Sequence, residues 1–120
     1  MFNQIKIDAP YLFDGDEGYG NKLASEITKT ASFTVSVNDK FKTYIINSAS
    51  AITVTVPTSL QAGIWWELIS INTGIVTVSA ASGVNVYSAD TRLKLRTKYS
   101  HARLTSRGSS NYFLTGDITV

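Results

Sequence analysis

Residues 43–88 carry a single charged side chain, Glu67. No other feature of the chain limits its fold so strongly. The same stretch alternates β-branched residues with Thr and Ser, as in "AITVTVP" and "IVTVSA". β-branched side chains are stiff at χ1 and pack well on a pleated surface. A strand in a small soluble domain normally presents charge to water on one face. Here the second face offers Thr, Ser and Ala, so it suits contact with other protein better than open solvent. Charged residues are 17% of the chain, against ~25% in an average globular protein. Almost the whole deficit falls in this window.

The period of two extends beyond the window. Phe33, Val35 and Val37 alternate with Thr34 and Ser36, and "ND" at 38–39 reads as a turn. "KTYIINS" places Tyr44 and Ile46 on one face. Ile52, Val54 and Val56 oppose Thr53 and Thr55 until Pro57 ends the run. A strand follows Gly63, "NTG" at 72–74 is a turn, and "VNVYS", "RLKLRT", "YSHARLTS" and "YFLTGD" complete the series. Turn signals recur roughly every eight to twelve residues, which predicts an all-β chain of about nine short strands in a compact antiparallel sandwich or prism. Residues 1–30 differ. They combine a short alternating run, Pro10 and the turn-rich "YLFDGDEGYGN", and "KLASEITK" is open between a helical turn and an extended piece. The expected organisation is an extended N-terminal arm, 1–30, and a β-rich domain, 31–120.

Size and chemistry exclude much. At 120 residues a single domain can bury roughly two thirds of its unfolded surface. There is no cysteine, which rules out thiol catalysis, disulfides and Cys-ligated metal. No apolar run is long enough to span a membrane, and the N-terminus lacks the pattern of a secretory signal. The chain therefore reads as a complete product beginning at Met1. A net charge of +2 does not imply nucleic-acid binding. The only histidine, His101, has no nucleophile motif around it and reads as a surface or interface residue rather than part of a catalytic group. "DGDEGYGN" fails as a calcium loop, because Tyr19 and Ser25 stand where an EF-hand needs Gly and Glu. No cofactor is implied, and too few carboxylates lie in the β-rich part to expect an enzyme.

Two surface features remain. Arg92, Lys94, Arg96 and Lys98 recur at period two, either as a solvated outer face or as a surface for an acidic partner. Trp65 and Trp66 are adjacent, so they point to opposite faces of a strand. With Trp66 inside beside Ile64 and Leu68, Trp65 lies outside with Glu67, Ile69 and Ile71. An outward apolar patch of this kind marks an interaction site. The expected oligomer contacts are Thr53, Thr55, Trp65, Ile69 and Ile71.

Tyr44, Asn47, Ile52, Pro57, Gly63, Asn72, Gly74, Val76, Gly83, Leu95, Tyr99, Ala102, Leu104, Gly108, Tyr112, Leu114, Gly116 and Asp117 together resemble a β-rich module of bacteriophage virion proteins. The likeness covers residues 41–117. Tyr112 stands where that module more often has Trp. The family occurs in head fibres, capsid decoration proteins and parts of tail fibres, and typically forms a tightly packed or intertwined trimer. The resemblance implies a non-enzymatic homotrimer on the capsid surface of a virion. The major capsid protein would be its partner, with no membrane or nucleic acid bound. The arm would then attach to the capsid through Phe2, Ile5, Ile7, Tyr11, Phe13, Asp14, Asp16, Glu17 and Tyr19. The alternative is a receptor- or glycan-binding module of a tail fibre or spike, with Trp65, Tyr87, Tyr99 and the basic row on an acidic polysaccharide.

Overall fold

The computed structural model describes residues 25–120. Eleven short strands follow one another: β1 Glu26–Lys29, β2 Phe33–Thr34, β3 Thr43–Ile46, β4 Ile52–Val56, β5 Trp65–Ser70, β6 Val76–Ala80, β7 Asn85–Ser88, β8 Lys94–Leu95, β9 His101–Gly108, β10 Asn111–Gly116 and β11 Ile118–Thr119. They form two sheets, ordered β1-β3-β5-β9-β10-β7 and β11-β8-β6-β4-β2. Among the described residues there is no α-helix, only two 3-10 turns, Val37–Asp39 and Ala89–Thr91. The all-β expectation and the pair of sheets hold. Residues 1–24, with every arm residue named above, lie outside the described residues.

The antiparallel expectation does not hold. From β1 to β6 the chain alternates between the sheets, one strand in each. Each return to a sheet therefore runs in the same direction as the strand before it. β1, β3 and β5 pair in parallel, as do β2, β4 and β6. The result is a short two-sided coil, a small parallel β-solenoid. Antiparallel pairing begins only with β8, β9, β10 and β11. β7 returns to the far edge of the larger sheet, parallel to β10. β1 is hydrogen-bonded into that sheet although it precedes residue 31, and the segment left open in the sequence, "EITK", is strand.

The inward positions are those the alternation predicts. Tyr44, Ile46, Trp66 and Leu68 meet Ile52, Val54, Val56, Val76 and Val78 between the sheets, all of them buried. Trp66, Leu104 and Leu114 occupy one register row across β5, β9 and β10. Buried polar groups have partners. Trp66 Nε1 donates to Ser36 O at 2.9 Å, and Tyr112 donates from its hydroxyl to Pro57 O at 2.7 Å. Tyr44 donates from its hydroxyl to Asp39 Oδ2 at 2.6 Å. The strand expected over residues 33–37 ends at Thr34. Ser36 then accepts from the Asn38 N–H at 3.1 Å and starts a 3-10 turn, so "ND" lies in that turn rather than in a hairpin.

Successive coils touch closely at their corners. Asn72 Nδ2 donates to Asn47 Oδ1 at 3.0 Å, and Gly74 N–H donates to Ser48 O at 2.9 Å. A Cβ on Gly74 would overlap the carbonyl oxygens of Ser48 and Ser50. Glycine is required there by space.

Candidate functional site

The outer faces of the two sheets differ in chemistry. On the smaller sheet, parallel register stacks Thr53 on Thr77 and Thr55 on Ser79. Lys94 continues the first of these rows. Cross-strand hydroxyl pairs of this kind are mildly stabilising. Thr53 is exposed and Thr55 half-buried.

The larger sheet carries an aromatic and cationic face. One register row runs Trp65, Thr105, Phe113, Tyr87 across β5, β9, β10 and β7. The next runs Thr43, Glu67, Arg103, Thr115, and a third joins Ile45, Ile69 and His101. Arg103 ties the first two together. Its Cζ lies 4.2 Å from the centroid of the Trp65 ring, while its Nη2 donates to Glu67 Oε2 at 2.6 Å. His101 Nε2 stands 3.5 Å from the other oxygen of Glu67. The Arg103 hydrogen bond, aided by His101, holds the Glu67 carboxyl below its usual range. Phe41, in the left-handed region at φ 64°, packs edge-on against Trp65 with centroids 5.5 Å apart. Tyr87 and Phe113 form a second T-shaped pair at 5.9 Å, and Arg107 lies 5.3 Å from the Phe113 centroid.

The placement of the two tryptophans follows the alternation. Trp66 is buried with Ile64 and Leu68, and Trp65 lies on the outer face with Glu67 and Ile69. Ile71 is exposed just past the end of β5. The five expected contact residues do not form one patch. Thr53 and Thr55 belong to the smaller sheet, while Trp65, Ile69 and Ile71 belong to the larger sheet or its margin. The basic row does not form one strand face either, because only Lys94–Leu95 is strand there. Arg92 stands 3.6 Å from Asp90, and Arg96 is held by Asp117 through two hydrogen bonds of 2.7 and 2.8 Å. Asp117 also accepts from Ser100 Oγ at 2.9 Å. These contacts, that of Arg96 foremost, hold the Asp117 carboxyl low. Lys98 lies against the ring of Tyr99, whose φ of 72° turns the chain before β9.

Sequence reasoning missed Arg103, Arg107, Phe113 and Phe41 as parts of this surface. The first three were accessible, since "HARLTSRG" and "NYFLTG" put them on outward positions. Nothing in the sequence indicates that Phe41 turns back onto Trp65. Among the described residues, no group of three or more His, Asp or Glu side chains is placed to hold a metal ion, and no helix is long and apolar enough to cross a membrane. No protein-family model matches the chain, and no curated protein is significantly similar to it.

Proposed function

We propose that this chain is a non-enzymatic structural protein of a bacteriophage virion: a trimeric capsid decoration, or cement, protein of the head-fibre type. The observation that carries the reading is the pair of outer faces. One is a Thr/Ser ladder and the other an aromatic face, and both draw on the charge-poor strands β3 to β6. A threefold ring joins subunits head to tail, so each subunit uses two different surfaces. Two unlike faces on opposite sides of one subunit meet that requirement, whereas one self-complementary patch would favour a twofold dimer. The resemblance of residues 41–117 to phage virion modules supplies the setting. The aromatic and acidic residues of the first 24 positions supply attachment to the capsid. Three such arms on one trimer act at high effective concentration, and avidity exceeds single-arm affinity by ~10²–10⁴.

Sedimentation of the full chain at micromolar concentration tests the assembly. The expected mass is about three times 13.1 kDa, and a stable monomer would overturn it. Removal of residues 1–24 leaves β1 in place. The shortened protein should remain trimeric and fail to bind capsids stripped of the native protein. Undiminished binding would move attachment onto the β-rich part, with Lys94 and Lys98 the next residues to replace.

A further inference from the structure

We propose that a neutral pyranose ring of a saccharide binds at the free edge of the larger sheet, in a cleft formed by β7 and β10. This inference goes beyond the structural role and does not depend on it. The cleft encloses about 230 Å³ and is lined by Tyr87, Ser88, Ala89, Phe113, Leu114 and Thr115. That volume is below the ~300–1,000 Å³ of pockets for drug-sized ligands, so it suits a single ring of a longer chain. β7 is the outermost strand, which lets the rest of such a chain leave along the sheet edge.

Three observations choose the ligand chemistry. Tyr87 and Phe113 remain 53% and 44% exposed although they pack edge to face. They offer an aromatic surface to the C–H face of a sugar, and the Tyr87 hydroxyl offers a polar tip. Ser88 Oγ is the second. It is a buried side-chain atom with no hydrogen-bond partner, at the end of the register row Trp66, Leu104, Leu114. A hydroxyl placed in an apolar row without a partner is costly to the free chain. A sugar hydroxyl, which both donates and accepts, removes that cost. Third, no lining side chain is charged. The nearby acid, Asp90, is paired with Arg92, and Arg107 sits over Phe113. An uncharged ligand with one apolar face and a rim of hydroxyls fits this lining, and a uronate does not.

The test is a titration of the ¹⁵N-labelled full chain, followed by amide shifts. The probes are maltohexaose, cellohexaose and mannohexaose, with hexagalacturonate as the charged counterpart. At least one neutral hexasaccharide should move the amides of Tyr87, Ser88, Phe113 and Thr115, with a dissociation constant of about 1–10 mM. Tyr87→Ala should weaken that binding about tenfold or more, and Ser88→Ala about threefold. Ser88→Ala should leave the melting temperature unchanged or raised, because the hydroxyl bonds nothing in the free protein. The proposal is overturned if none of the three neutral probes moves these amides at ~20 mM. It is equally overturned if Tyr87→Ala binds as well as the parent, or if only hexagalacturonate binds. Trimer mass and capsid binding are measured separately, so neither result changes the other.

Discussion

Trp65 and Trp66 are neighbours in sequence and opposites in role. Trp66 is fully buried and donates its indole N–H to Ser36 O. Trp66→Ala leaves a cavity and removes that donor, and should cost ~3–5 kcal/mol in urea unfolding. Trp65 packs on Phe41 and Arg103 at the surface. Trp65→Ala should cost much less in folding and show instead in association, read as a lower sedimentation mass at the same protein concentration. Both variants must be compared at one concentration, because assembly and folding are coupled in an oligomer. Equal losses of folding stability would refute the division. This part of the molecule was legible in the sequence, because adjacent strand residues must face opposite ways. The partners were not. Ser36, Phe41 and Arg103 reach these rings from other elements, and local alternation carries no record of which elements meet.

At the scale of the strands, alternation located most elements but not their directions. A period of two is common to parallel and antiparallel sheets, so β3, β4, β5 and β6 read the same either way. The signal that separates them is longer. Thr43 pairs with Glu67 and Ile52 with Val76, both 24 residues apart (67 − 43 and 76 − 52). "AITVTV" and "GIVTVSA" occupy equivalent places in that repeat. The basic row was misread for the opposite reason. Its period is that of a strand, but ladder bonding supports only Lys94 and Leu95, and Tyr99 at positive φ redirects the chain. Corners between coils give the element-scale prediction. Gly74→Ala forces a Cβ onto the carbonyls of Ser48 and Ser50 and should destabilise by ~1–3 kcal/mol or more through overpacking. Gly83 has open space around it and φ +81°. Gly83→Ala should cost only the left-handed strain, ~1–2 kcal/mol. Denaturant midpoints of the two variants check the order.

For the whole molecule, titrating groups bound stability on both sides. Glu67 and Asp117 are held below their usual carboxylate range by Arg103 and Arg96 respectively. A depressed carboxylate stabilises the folded state above its unfolded value, and that contribution is lost as pH falls through the folded one. Tyr44 is shifted the other way, well above its usual 10.0, first by burial and then by its bond to Asp39. Its contribution is present below the unfolded value and is lost as pH rises beyond it. Melting temperature should therefore fall below about pH 4 and again above about pH 10. Replacing Tyr44 with Phe should remove the alkaline fall and leave the acid one. Coiling also accounts for part of the charge deficit in residues 43–88. Parallel register sets equivalent residues ~4.8 Å apart, so a charge repeated from coil to coil would face its own sign, whereas Thr over Thr and Ile over Ile attract. The same register limits how such a molecule can change in length. One residue inserted into β4 would turn each later side chain of that strand to the other face. A duplicated segment of 24 residues, the spacing of β3 to β5 and of β4 to β6, would add a complete layer and leave both ends as they were. Heritable lengthening of this chain therefore proceeds by the whole turn, as a stack of rings grows, and an indel of any other size strikes the core.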